Sequence, residues 1–304
     1  MMASGVKNIV ASVRAKLANI AKVQQRSFDS ILLLYMQERL LYRLSVSNYV
    51  DSFVLKGGLL MFILTDYKGR PTKDIDFLAY QISNDFNNLK SVFQEICNLV
   101  CVDDGLLFDP ESVYVEKIKE GADYEGARIK LVCNLGNAKK LLQLDIGFGD
   151  IVVPKPEFMS CPTLLDIVGP MVKVYSVESI IAEKFHAMLV LAELNSRMKD
   201  FYDVFVLLST NSFGGESLQT AIAETIKCRH ADIKAETVIF TRNFSTDANR
   251  NAMWQAFIRK IGVKEIQFAG VMEAICLFLK PIYDAILKNE VFLKKWDNVN
   301  KIWS

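Results

Sequence analysis

Two acids and a pair of glycines, held at fixed spacing, are the residues in this chain whose types could do chemistry together. In Lys56-Gly57-Gly58-Leu59 the glycines follow the short apolar run Ser52-Phe53-Val54-Leu55 and precede Leu59-Leu60-Met61-Phe62-Ile63-Leu64. The first run is strand-like and the second begins a helix, so the glycines sit at a strand-to-helix turn. The first N–H groups of a helix have no internal partner and can face an anion such as a phosphate. Downstream, Arg70-Pro71-Thr72-Lys73-Asp74-Ile75-Asp76-Phe77 alternates, which puts Asp74 and Asp76 on one side of a strand and Ile75 and Phe77 on the other. Carboxylates that close repel unless a cation lies between them, and magnesium is the simplest candidate. A nucleoside triphosphate held beside metal ions is the chemistry such a set would serve. Either half alone would be an ordinary turn or a solvated strand end. The ordered set of glycine turn, helix-length spacer, Arg70, Thr72, Asp74 and Asp76 carries the weight.

That set resembles the first motif of the AbiEii-like nucleotidyltransferase toxins, a branch of the DNA polymerase β-like superfamily: Gly-Gly-Ser, ten residues, then Arg-x-Thr-x-Asp-x-Asp. Leu59 stands at the Ser position and offers a phosphate only its backbone N–H. The resemblance implies an α+β fold, a nucleotidyltransferase-type mixed sheet flanked by helices, followed by an α-helical C-terminal domain. The expected division is residues 1–170 and 171–304. Gly57, Gly58, Leu59, Arg70 and Thr72 then belong to the nucleotide-binding set. Arg70 supports the carboxylates or the nucleotide, and Thr72 braces the loop.

The elements that must position these residues can be traced along the chain. Helical spacing of Val10, Val13, Leu17 and Ile20, then of Phe28, Ile31, Leu32 and Tyr35, predicts two packing helices before the glycine turn. Before Asp29 the charged residues are all basic: Lys7, Arg14, Lys16, Lys22 and Arg26. Such a face is ordinarily solvated and could alternatively meet nucleic-acid phosphates. After Asp76 a helix is predicted over 86–100, then strands over 112–119, 128–134 and 140–147, with breaks at Asp109-Pro110 and 121–126. Four prolines between 154 and 170 predict an irregular connection, and Val172 to Tyr175 one more short strand. Ser176 caps a helix over 177–194, another runs over 200–208, and from Glu216 onward the pattern is helical, with helices over 265–279 and 281–287 separated at Pro281.

Asp145 lies in the apolar strand Leu141-Leu142-Gln143-Leu144-Asp145-Ile146, where an unpaired carboxylate is costly. Two fates are open. As the resemblance implies, it is the third acid of the metal site; alternatively it forms a salt bridge to Arg128 or Lys130. Lys184, among Ile180, Ile181 and Leu189, is awkward for a purely structural lysine. Arg197, Lys199, Asp200 and Asp203 gather at a helix start, ordinarily an ion-pair network. They also resemble the family's downstream lysine helix and Lys-Asp-x-x-Asp segment. On that resemblance Lys184 binds the triphosphate tail, Arg197 and Lys199 join the nucleotide-binding set, and Asp200 or Asp203 orients Lys184 or the acceptor.

Composition bounds the rest. With 304 residues, 51% hydrophobic and 23% charged, the chain can build one large or two modest cores. A net charge of +1 excludes strong whole-molecule attraction to nucleic acid, so any RNA contact must be local. No apolar run reaches membrane-spanning length and no secretion signal is evident, so a cytoplasmic location is expected. Six scattered cysteines without a Cys-x-x-Cys pair, with only His186 and His230 to join them, argue against zinc. The resemblance implies catalysis with two Mg²⁺ ions at Asp74, Asp76 and Asp145, an NTP substrate, an RNA acceptor such as the tRNA 3′ end, and a separately encoded cognate antitoxin. Transfer to a protein hydroxyl, or a non-catalytic nucleotide-binding module, are the alternatives.

Overall fold

The computed structural model describes residues 3–67, 69–70, 72–118, 126–232, 236–264 and 266–304, with side chains from residue 9 onward. Pro71, Lys119, residues 121–125, Glu265 and the Lys7 side chain, which enter the sequence expectations, lie outside the described residues. The chain forms two compact units, Met1–Gly149 with Glu157–Val174, and Asp150–Pro156 with Tyr175–Ser304.

The first unit runs α1 (Ala3–Val23), α2 (Phe28–Ser45), β1 (Phe53–Lys56), α3 (Gly57–Leu64), β2 (Asp74–Ala79), α4 (Phe86–Asn98), β3 (Leu107–Ile118), β4 (Gly126–Leu135), β5 (Ala138–Gly147), β6 (Glu157–Ser160) and β7 (Met171–Val174). Among the described residues its strands make a seven-stranded mixed sheet in the order β3-β4-β5-β2-β1-β7-β6. β2 pairs parallel with β5 and antiparallel with β1, and β1 pairs parallel with β7. One face is apolar: Phe53, Leu55, Ile75, Phe77, Ile129, Leu144 and Ile146 are all buried. α4 brings Leu89, Val92, Phe93 and Ile96 to that core, Phe93 meeting Phe53 edge-on at 5.3 Å. The period-two alternation of β4 and β5 leaves the other face part-exposed and polar.

Two sequence expectations change here. β3 begins at Leu107, so Asp109-Pro110 lies within a strand rather than between elements. The register shifts between Asp109 and Tyr114, and a bulge on an edge strand is where a proline, lacking its N–H, is tolerated. The proline-rich connection contains a real strand, β6, paired antiparallel to β7 at the opposite edge. A four-residue edge strand fits between Pro156 and Pro162 because its outer side needs no ladder.

The second unit holds α5 (Val177–Leu191), α6 (Met198–Thr210), β8 (Phe213–Gly214), α7 (Gly215–Cys228), α8 (Arg242–Thr246), α9 (Ala248–Ile261), α10 (Phe268–Lys288), β9 (Lys295–Asp297) and β10 (Ile302–Trp303). Pro281 does not divide two helices; it lies inside α10. The missing hydrogen bond is outweighed because Phe278, Leu279, Ile282 and Tyr283 are buried on both sides of it. Nor is the chain helical to its end: β8, β9 and β10 form a small antiparallel sheet. Trp296 is buried there and donates Nε1–H to the Leu208 carbonyl at 2.7 Å, and Trp303 stacks on Phe278. No described helix is long and apolar enough to cross a membrane.

The first unit is tied together by a buried charge cluster. Arg43 Nη1 and Nη2 donate to Asp104 at 2.7 and 3.3 Å, Arg39 Nε donates to it at 3.3 Å, and the Leu106 N–H adds 2.9 Å. Asp104 is fully buried. Replacing Asp104 by Asn strands two buried guanidiniums and is expected to cost about 3–5 kcal/mol, read as a lowered urea midpoint at unchanged m-value.

Candidate active site

The glycine turn is built against an acid. Gly57 has φ +68°, and a Cβ on it would stand 1.9 Å from Asp76 Oδ2, so only glycine fits. The next N–H, from Gly58, donates to Asp76 Oδ2 at 3.2 Å. A Cβ on Gly58 would meet Thr72 Oγ1 at 2.8 Å and Arg70 Nη1 at 3.4 Å, which places both side chains beside the turn. Thr72 Oγ1 donates to Asp74 Oδ1 at 2.9 Å, so it braces the first acid directly. Leu59 is 1% exposed: its side chain belongs to the core, and only its backbone faces the turn.

Asp74 and Asp76 project from the polar face of β2 while Ile75 and Phe77 are buried behind it. The parallel ladder sets Asp76 opposite Asp145 and Asp74 opposite Gln143. Burial first, then the charges of Asp74 and Asp145, push the Asp76 carboxyl above its usual range, against the Gly58 N–H and Lys56, which pull it down. Asp145 is held by Arg128, whose Nε and Nη2 donate to its two oxygens at 2.8 and 2.7 Å. Of the two cations the sequence left open, Lys130 goes instead to Glu116, at 2.7 Å. Gln143 Nε2 donates to Asp145 Oδ1 at 3.3 Å. This contact was missed from sequence, although two residues apart on one strand face is the spacing that forecasts it.

The second unit carries its own cluster. Ser176 caps α5, accepting from the Ser179 N–H at 3.2 Å, and the helix buries Ile180, Ile181, Phe185 and Met188. Lys184 Nζ lies 2.9 Å from Asp200 Oδ1 and 2.8 Å from Asp203 Oδ2, so both acids hold the lysine. Arg197 Nε donates to Asp200 Oδ2 at 2.6 Å, whereas Lys199 is exposed. Burial alone would lower the Lys184 pKa, but Asp203 and Asp200 outweigh it and raise it. Burial would raise Asp200, but Lys184 and Arg197 hold it below the usual carboxylate range. His186 is pushed down to about 4 by burial and by Arg229. Its Nε2 has no hydrogen-bond partner among the described residues, which leaves it a neutral packing residue. Arg229, Asp150 and Glu183 make a further ion-pair knot that sequence spacing gave no sign of.

Among the described residues no group of three or more His, Cys, Asp or Glu side chains could hold a metal ion alone. The free cysteines take no part in one. Asp74 and Asp76 nevertheless fit magnesium, which is commonly held by one or two carboxylates and completed by substrate phosphates and water.

A mixed sheet bearing a glycine turn pressed against an Asp-x-Asp strand is the framework of a nucleotidyltransferase. Residues 39–288 match the family model described as nucleotidyl transferase AbiEii toxin, type IV TA system. The chain belongs to this AbiEii nucleotidyltransferase toxin family. No curated relative matches it. Among solved structures it is similar to JHP933 from Helicobacter pylori, at 19% identity over 75% of this chain and 93% of that one, with a TM-score of 0.38. It is also similar to an H. pylori protein provisionally designated a nucleotidyltransferase, at 17% identity over 78% and 96%, with a TM-score of 0.37.

Replacing Lys184 by Met leaves two buried carboxylates without their shared cation and is expected to cost about 3–5 kcal/mol at neutral pH. The wild-type cluster's contribution has a definite pH window. The part from Asp200 is present above its ordinary value of 3.8 and is lost as pH falls through the lower folded value. The part from Lys184 is present below 10.5 and is lost as pH rises through the higher folded value. Urea unfolding across pH should show Lys184→Met flattening both limbs relative to wild type.

Proposed function

We propose that the protein transfers a nucleoside monophosphate from an NTP to a hydroxyl of an RNA acceptor, the 3′ end of tRNA being the acceptor the family resemblance implies. It would do so in the cytoplasm, as the toxin of a pair with a separately encoded antitoxin. The observation that carries the reading is the close approach of Gly57 to Asp76. No side chain stands between the helix start and the acid strand, so phosphate oxygens and carboxylates can share one cation.

In this reading Asp74 and Asp76 would hold two magnesium ions with Asp145 as the third acid, and Thr72 fixes the Asp74 rotamer. When bound, magnesium supplies Lewis acidity to the phosphoryl oxygens and makes the acceptor hydroxyl a better nucleophile. The chain's own residues do the rest. The N–H groups that open α3 would face the triphosphate, that of Gly58 being shared with Asp76, while Arg70 beside the turn adds positive charge and Gly57 and Gly58 keep the approach free of side chains. Lys184 is proposed to neutralise the triphosphate tail, with Asp200 and Asp203 keeping it protonated and fixed. Arg197 acts on the same tail only through or beside Asp200, which it already contacts. Exposed Lys199 is left for longer-range attraction of the anionic substrate.

The test is incubation with each α-³²P-labelled NTP, Mg²⁺ and total bacterial RNA, resolved on a denaturing gel before and after protease. A protease-resistant, tRNA-sized labelled band is expected, and its NTP dependence names the nucleotide. Asp76→Asn should cut labelling on the order of a hundredfold or more without lowering the melting temperature, because it removes a repelled charge and keeps an acceptor for the Gly58 N–H. Label lost on protease treatment would move the acceptor to a protein hydroxyl. Absence of label with every NTP would leave a nucleotide-binding module.

A further inference from the structure

One charged row crosses five strands of the first unit's sheet. Register sets Lys56 opposite Asp76, Asp76 opposite Asp145, Asp145 opposite Arg128 and Arg128 opposite Glu116. Directly opposed residues project to the same face, so the row reads cation, acid, acid, cation, acid. Its two adjacent acids are treated differently. Asp76 accepts the Gly58 backbone N–H at 3.2 Å. Asp145 has both oxygens taken by the Arg128 fork, with Gln143 adding a third bond.

The fork is part-solvated, the Arg128 side chain 31% exposed and that of Asp145 19%, and its bidentate geometry makes it one of the surface pairs that can hold firmly. Glu116, the other acid opposite Arg128, is committed to Lys130. Arg128 therefore spends its planar pair of donors on the one acid that adjoins Asp76, in the geometry by which a guanidinium clamps a carboxylate.

We infer that Arg128 is a positioning residue that sets the divalent-ion affinity of the acid pair: an internal counter-cation that withholds the Asp145 carboxylate from Asp74 and Asp76. This rests on the proposed reading of Asp74 and Asp76 as the metal-holding carboxylates. Its physical content is electrostatic. With the fork intact, an incoming cation meets two acids and a neutralised third. With the fork broken, it meets three, and it no longer faces the guanidinium charge.

The experiment is Mn²⁺ binding to the full chain, without nucleotide, followed by the loss of the free-ion electron paramagnetic resonance signal. Wild type is expected to bind weakly and Asp76→Asn to lose binding. Arg128→Gln is expected to bind Mn²⁺ about tenfold more tightly or better, since a unit charge near a divalent ion is removed and an acid released. In an Asp145→Asn background the same change should gain much less, because Arg128 acts through Asp145. Arg128→Lys keeps the charge but cannot make the fork, so it should tighten binding by a smaller factor; it serves as the deciding variant if Arg128→Gln does not fold. Unchanged or weaker Mn²⁺ binding in the folded Arg128 variants, with Asp76→Asn still deficient, overturns this inference and leaves the metal reading standing. An equal gain with and without Asp145 overturns the positioning role. No Mn²⁺ binding by wild type and Arg128→Gln alike overturns both.

Discussion

A parallel ladder puts residues of equal register on the same face, so pairing β2 with β5 forces Asp76 and Asp145 to be neighbours. A slip of β2 by one residue would separate them, but it would also turn Ile75 and Phe77 to solvent. Burying those two side chains is worth about 3–6 kcal/mol in total. Repulsion between two part-solvated carboxylates at adjacent ladder positions amounts to about 1–3 kcal/mol. The core wins, and the acids are held together against their charge. Everything polar near them answers that imposed repulsion: the Gly58 N–H at Asp76, Lys56 opposite it, and the Arg128 fork at Asp145.

The second unit solves a different problem. The Lys184 side chain is only 13% exposed, and an unpaired ammonium with so little water is costly to keep charged. Asp200 and Asp203 both hold Lys184, and Arg197 adds a second cation at Asp200. This cluster fixes Lys184 in position and keeps it protonated.

The glycine turn, the Asp-x-Asp strand and the Ser176 cap were legible in sequence because each depends on residues within a few positions of one another. Asp145 was legible as an acid needing a partner, since its apolar flanks announce burial. Its partner was not legible: Arg128 and Lys130 share one strand face, and only the register with β5 assigns one to Asp145 and sends the other to Glu116. The choice between Asp200 and Asp203 failed to resolve for a similar reason, because at a spacing of three on one helix face both reach Lys184. The misplaced boundaries share another cause. Pro110 and Pro281 read as breaks by local chemistry, but a bulged edge strand and a helix buried on both sides of its proline absorb them. Strands of two or three residues such as β8 to β10 are too short to show a period at all.

Leu59 illustrates how a departure from a family pattern can be local compensation. Two successive glycines give the turn its close approach to Asp76, and each costs about 0.5–1 kcal/mol of backbone entropy relative to alanine. Something must then pin the helix start. A hydroxyl at position 59 could do so by bonding a ligand, but only while the ligand is present. Leu59 does so permanently, with Leu60, Met61, Phe62 and Ile63 buried behind it. In this packing a buried hydroxyl would itself need a hydrogen-bond partner. The turn is accordingly preformed by apolar burial, and in the proposed reading phosphate recognition there would fall to the backbone.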